Sequence, residues 1–199
     1  MKTPDKKSLR KQSRAARAAL SPDYRRLAVR QTLRKALRAG LFLKGKRWGF
    51  YLPVGEEFDV LPLLNQALHM GKDCYLPITA NRIAQPLRFA RLDGSHGITH
   101  NRYGIIEPHA RSLMNARWMD VMVMPLVAFD RAGRRLGMGG GYYDATLAYL
   151  RSRRRWHKPV LIGVAYACQE VKEVPAEAWD VRLDMILTEN GLLRSQADQ

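Results

Sequence analysis

The chain has 199 residues, 46% of them hydrophobic and 26% charged, which suits one soluble domain with a sizeable core. No apolar run reaches the roughly 20 residues of a membrane span, and the basic amino-terminal stretch lacks the apolar segment of a secretory signal. A net charge of +16 and a sequence pI near 10.4 raise the question of polynucleotide binding. No zinc-finger spacing, RNA-recognition motif or glycine–arginine repeat accompanies that charge.

Residues 1–40 hold thirteen Lys and Arg against only Asp5 and Asp23, and Arg151, Arg153, Arg154 and Arg155 form a second cluster. A solvated helical face is the favoured reading over polynucleotide binding; steering of polyanionic small molecules is a third use. Lys6 to Leu20 reads as a helix, with Leu9, Ala16 and Leu20 near one face and Lys7, Lys11 and Arg14 on another. Lys6 and Arg10 are four apart and share a face, so they could clamp one phosphate, although plain solvation is the simpler reading. Ser21 is placed to cap a second helix and Pro22 to sit in its first turn. That helix runs to about Arg38, and Gly40 ends it.

Trp48 to Leu52 is a short strand. Glu56, Glu57 and Asp59 follow it, either to cap the next helix, from about Val60 to His69, or to meet a ligand. Lys72–Pro77 and Leu87–Leu92 read as further strands. Tyr103 is a half-buried packing aromatic before Glu107-Pro108. Cys74 and Cys168 both sit in apolar runs and read as buried free thiols in a reducing compartment, with a single disulfide as the alternative. The five histidines show no metal-ligand pairing.

Val121 to Pro125 has the pattern of a strand buried on both faces. Phe129 to Gly140 is a loop with Asp130, Arg134, Arg135 and several glycines, and a helix starts at the glycines and runs to Leu150. A buried strand, a glycine-rich loop and a helix start together make an anion site, because free N–H groups point outward and a phosphate can approach the backbone. A bare tight turn is the alternative. The loop matches neither the dinucleotide fingerprint nor the common phosphate loop of NTPases. Arg135 adds a guanidinium for phosphate oxygens, and Asp144 a carboxylate in the first helical turn, where it could hold magnesium. Pro159–Ala165 and Asp184–Thr188 complete the strands. Asp184 alone reads as a turn residue. Strands alternating with helices predict a three-layer α/β/α fold with a mainly parallel central sheet, the N-terminal helices crossing its ligand-binding edge.

Arg-Leu-Gly-Met-Gly-Gly-Gly-Tyr-Tyr-Asp at 135–144, preceded by Pro-Leu-Val-Ala-Phe-Asp at 125–130, closely resembles the signature of the 5-formyltetrahydrofolate cyclo-ligase family, also called 5,10-methenyltetrahydrofolate synthetases. The resemblance implies an ATP-dependent ligase using Mg2+, in which a phosphorylated formyl (N-iminium phosphate) intermediate closes to 5,10-methenyltetrahydrofolate. It implies an ATP site of Lys6, Lys7, Ser8, Leu9 and Arg10 with Arg135, Leu136, Gly137, Met138, Gly139, Gly140, Gly141, Tyr142 and Tyr143. Arg135 carries the catalytic role. The folate site it implies comprises Leu52, Glu57 and Tyr103 together with Met138 to Tyr142, and the metal contacts are Asp144 and Asp184. Some relatives place a Lys where this chain has Gly140, and Arg134 is the candidate replacement. The expected protein is a cytoplasmic monomer with a folate substrate and no obligatory protein, membrane or nucleic-acid partner. A basic nucleic-acid-binding protein, or another ATP-dependent enzyme on the same scaffold, is the competing expectation.

Overall fold

The computed structural model describes residues 5–78, 85–92, 98–100, 106–108, 112–152 and 158–195, with backbone alone at 98–100, 106–108 and 152. Two capped helices come first. In α1 (Lys6–Ala18) the Asp5 carboxylate accepts the Ser8 N–H at 2.8 Å, satisfying a donor that the helix start leaves free. In α2 (Pro22–Arg38) the Ser21 hydroxyl accepts the Tyr24 N–H at 3.2 Å and Pro22 opens the first turn, as the sequence predicts. Then follow β1 (Arg47–Gly49), α3 (Leu61–His69), β2 (Asp73–Ile78), β3 (Arg88–Arg91), β4 (Ile98–His100), β5 (Ile106–Pro108), β6 (Leu113–Asn115) and β7 (Val121–Met124). After β7 come the hairpin strands β8 (Ala128–Phe129) and β9 (Arg135–Leu136), a short helix α4 (Tyr142–Thr146), β10 (Val160–Val164), β11 (Met185–Thr188) and β12 (Gly191–Arg194).

The central sheet has eight strands in the order β12-β11-β10-β7-β1-β2-β3-β6. The five from β11 to β2 run parallel; β12 and β3 run against them, and β6 pairs antiparallel with β3 at the far edge. Side chains alternate across it, as pleated geometry demands. From β7, Val121 and Val123 join Ala28 and Ala36 of α2 and Leu63 and Leu64 of α3 on one face. Met122 and Met124 meet Leu147, Leu150, Val181 and Leu183 on the other.

The expected layers are therefore present, with two corrections. Only α1 crosses the ligand edge, where Leu9 packs on Ala128, Leu136 and Val174. α2 instead lies on a sheet face, because its buried Ala28, Thr32 and Ala36 stripe fits there. The helix expected from Gly141 to Leu150 is also cut short at Thr146 and continues as a 3-10 turn, Ala148–Ser152. The Thr146 hydroxyl donates back to the Tyr142 carbonyl at 2.6 Å and accepts the Leu87 N–H at 2.7 Å, which competes with further helix bonding.

Chain order fixes where a ligand can enter. β1 leads through α3 to β2 on one side, and the chain then returns to place β7 on the other side of β1. The carboxyl ends of β1 and β7 thus form a topological switch point, the crevice where α/β sheets gather ligands.

The opposite, amino edge is clamped by Asp120, which is 7% exposed. Its carboxylate accepts the Lys46 and Arg47 N–H groups at 2.8 and 2.9 Å and the Lys158 ammonium at 2.7 Å, tying the starts of β1, β7 and β10. Burial opposes ionisation, but those bonds outweigh it and hold the carboxyl down at about 2. A depressed carboxylate stabilises the fold above its unfolded pKa and loses that stability as pH falls through the folded one. Asp120→Asn is expected to cost about 2 kcal/mol near pH 7. The gap from wild type, measured by urea unfolding, should shrink steadily between about pH 5 and pH 2.

Candidate active site at the carboxyl edge of the sheet

Beyond β7 the chain turns into the β8–β9 hairpin, which the sequence presents only as loop. Asp130, 2% exposed, builds its turn. One carboxylate oxygen accepts the Ala132 and Arg134 N–H groups, each at 3.0 Å, and the other accepts the Val174 N–H at 2.9 Å. The hairpin delivers Arg135 to the edge with a side chain 4% exposed. Its guanidinium donates to Asp144 Oδ1 at 2.6 Å and lies 5.9 Å from the centre of the Tyr143 ring. Its Nε is enclosed and makes no hydrogen bond.

Between that pair runs the glycine loop. Gly139 and Gly141 hold φ values of 104° and 66°, which side-chain-bearing residues rarely adopt. Leu136 is buried and its carbonyl accepts the Val127 N–H at 2.7 Å, so it anchors the loop from within. Met138 stands out of it, 54% exposed. Gly140 lies beneath the Tyr142 ring, where an added Cβ would come within 3.0 Å.

α1 crosses above. Arg10 Nε donates to the Gly137 carbonyl at 2.9 Å, and Arg14 reaches the Met138 sulfur at 3.2 Å. Arg14 is therefore not the purely solvated charge its position on the outer helical face predicts. Lys6 binds Asp180 at 2.9 Å, with Glu177 at 3.8 Å. Those acids lie in a distant loop, and nothing near Lys6 in sequence points to them. A cleft of about 390 Å³ opens beside Arg135, between Arg134 and the loop carrying Glu177, Asp180 and Arg182. Lys7 and Ser8 are exposed at the helix start, whereas Leu9 is turned into the core.

On the other wall stand the residues after β1. Leu52 is half-buried against the core. Glu57 Oε2 accepts the Val54 N–H at 3.1 Å and shapes its own turn, while Asp59 accepts the Leu61 N–H at 2.9 Å at the start of α3, where Val60 is the N-cap. Burial raises the Glu57 pKa, against the Val54 bond and the charges of Arg17 and Arg14. Burial raises the Tyr143 hydroxyl pKa, and the charge of Glu57 raises it further.

Four expectations change. Asp184 sits at the amino ends of β10 and β11, its carboxylate accepting the Leu161 N–H at 2.7 Å. Arg134 pairs with Glu173 at 2.8 Å and lies 3.7 Å from Asp130, so it braces the hairpin rather than standing in for a lysine at Gly140. Cys168 is exposed because it falls in a 3-10 turn after β10, while Cys74 is a buried free thiol. Arg151 stays exposed but is tied to the Trp179 carbonyl at 3.1 Å, so the solvated face expected there is tethered at that point. Tyr103, His96, His109, His157 and Arg153–Arg155 lie outside the described residues. Among the described residues no three His, Cys, Asp or Glu converge on a metal-sized space, and no helix is long and apolar enough to cross a membrane.

Fold and edge together define an α/β protein whose switch-point crevice gathers guanidinium groups, a glycine loop and two carboxylates. The comparisons give that class a family. The 5-formyltetrahydrofolate cyclo-ligase family model matches residues 2–189. The chain is 33% identical over 179 residues to the 5-formyltetrahydrofolate cyclo-ligase of Escherichia coli (strain K12), covering 88% of this chain and 95% of that one. It is 31% identical over 191 residues to the Haemophilus influenzae 5-formyltetrahydrofolate cyclo-ligase, covering 94% and 99%. The NMR structure of Aquifex aeolicus 5,10-methenyltetrahydrofolate synthetase superposes with a TM-score of 0.80 at 30% identity, over 98% of this chain and 94% of that one. This chain belongs to the 5-formyltetrahydrofolate cyclo-ligase family.

Glu57 carries a stability consequence. A carboxyl raised by burial favours the fold most below its unfolded pKa, and that contribution is lost as pH rises through the folded value. Glu57→Gln keeps the oxygen for Val54 and removes the charge. The melting temperature at pH 7.5 is expected to rise by about 1–3 °C, and the gain should vanish near pH 4. A less stable variant at pH 7.5 would contradict burial as the cause.

Proposed function

We propose that this chain, as a single-domain cytoplasmic monomer, uses ATP to cyclise 5-formyltetrahydrofolate to 5,10-methenyltetrahydrofolate, releasing ADP and phosphate. The observation that carries the reading is the Arg135–Asp144 pair bridging the glycine loop, with Arg10 bonded across it. Two free thiols suit the reducing compartment.

A formamide oxygen leaves poorly, so the chemistry needs it converted to a phosphate ester. The formyl oxygen attacks the γ-phosphorus and ADP departs. N10 then attacks the formyl carbon and loses its proton, and the C–O bond breaks to expel phosphate. Little covalent work falls to the protein; it must align two substrates and neutralise charge that builds on phosphate oxygens.

Arg135 and Arg10 take the phosphate oxygens from opposite sides of the loop, with Lys6 held near by its acidic partners. The outward N–H groups of Gly137 to Gly141 line the space where phosphate and formyl group meet. Tyr142 and Tyr143 wall it, and Met138 offers an apolar surface at the mouth. Lys7 and Ser8 lie at the helix start beside the nucleotide. Glu57, ionised, accepts the N–H donors of the pterin, with Leu52 beneath the ring.

The residues present fit a magnesium ion. Asp144 is 26% exposed at its side chain and engages Arg135 through Oδ1, and magnesium binds through one or two carboxylates together with phosphates and water. Asp144 would hold it, and bound there it would offset triphosphate charge. Asp184 is left out of this role because its carboxylate is bonded at the opposite edge.

Mixing the protein with 5-formyltetrahydrofolate, ATP and magnesium is expected to produce methenyl absorbance; a folded protein that gives none rejects the reading. Arg135→Lys keeps charge but loses the forked geometry. It should lower kcat/KM by about 100-fold or more with the fold intact by circular dichroism. Unchanged turnover would remove Arg135 from the site.

A further inference from the structure

The basic face of α1 continues past Arg10. Lys6, Arg10, Arg14 and Arg17 recur at intervals of three and four, so they project from one side of the helix. Lys6, Arg10 and Arg14 are bonded to Asp180, Gly137 and Met138. Arg17 is different. It is 5% exposed, its Nε is enclosed and makes no hydrogen bond, and its guanidinium has no hydrogen-bond or ion-pair partner among the described residues. A buried cation without a partner is costly, so a folded chain that keeps one points to a ligand that completes it.

Its neighbours define that ligand. Arg17 acts electrostatically on Glu57, Tyr51 and Tyr166, which follow the carboxyl ends of β1 and β10 on either side of β7. Arg17 and Glu57 sense each other without forming an ion pair. An enclosed Nε–H and a carboxylate are thus set near the apolar floor of Tyr51, Phe58 and Tyr166, where the Phe58 and Tyr166 rings lie 4.7 Å apart. A flat heterocycle that presents an acceptor next to donors on one edge satisfies both.

We propose that Arg17 and Glu57 jointly read the cyclic-amide edge of the pterin: Glu57 accepts from N3–H and the 2-amino group, and Arg17 donates to O4. This rests on the folate reading above and adds a specificity-determining residue to it. The enclosure of Nε favours the ring over the substrate's glutamyl carboxylates, which must stay able to reach solvent.

The test compares wild type with Arg17→Met in equilibrium binding, read by protein fluorescence, and in turnover. Three ligands are used: 5-formyltetrahydrofolate, its 4-amino counterpart, and the 5-formyl pteroate lacking glutamate. Removing Arg17 should weaken binding of both 4-oxo ligands by about 10- to 100-fold. The 4-amino ligand, which presents a donor to a donor, should change little, and the KM for ATP should not move. Because the lost charge is unpaired, the melting temperature should hold or rise. Equal weakening of all three ligands, or a fall in melting temperature with no change in selectivity, would overturn the proposal. So would an effect confined to the ligand that carries glutamate. Wild type that binds the 4-oxo ligands but makes no methenyl product would sink the cyclo-ligase reading alone; wild type that binds none of them would sink both.

Discussion

One ion pair closes the site. Arg135 comes from the end of a β-hairpin and Asp144 from the first turn of a helix, and their 2.6 Å bond fixes both ends of the glycine loop between them. That loop has little means of holding itself. Glycines contribute no side-chain contacts and lose the most conformational freedom on ordering. Only Leu136, turned into the core, anchors it from inside. The pair therefore does two things at once: it orders a loop chosen for open backbone, and it keeps a guanidinium and a carboxylate at the crevice. Arg135 Nε stays enclosed and unbonded, an unspent donor beside the cleft.

The sheet decides where this happens. β7 feeds the hairpin and β1 feeds the Glu57 turn, and the two strands are neighbours reached by opposite turns of the chain. Their carboxyl ends diverge into a crevice whose walls come from distant parts of the sequence. α1 spans it, fastened by Leu9 below and by Arg10 to the Gly137 carbonyl. Asp120 secures the opposite edge, so the rigid end of the sheet and the ligand end are separate.

Much of this was legible in the residues. The cap at Ser21, the buried run of β7 and the parallel core follow from local chemistry and periodicity. The pairing of Arg135 with Asp144 across the glycine loop was legible because opposite charges flank a turn too rich in glycine to hold itself. What stayed hidden was long-range. The partners of Lys6 in the loop at 177–180, the brace from Arg134 to Glu173 and the tie from Asp184 to Leu161 join positions that no local pattern connects. Arg17 was hidden for another reason: in a chain with thirteen basic residues in its first forty, one more arginine reads as solvated surface. Only its burial separates it from the rest.

On the proposed function, the protein is chiefly a device for orienting a phosphoryl donor against a poor leaving oxygen. The fate of that oxygen tests it directly. With 5-formyltetrahydrofolate labelled with oxygen-18 in the formyl group, a single turnover with ATP should deliver the label into inorganic phosphate. Label appearing in water, with unlabelled phosphate released alongside methenyl product, would contradict transfer of the phosphoryl group to the formyl oxygen within this crevice.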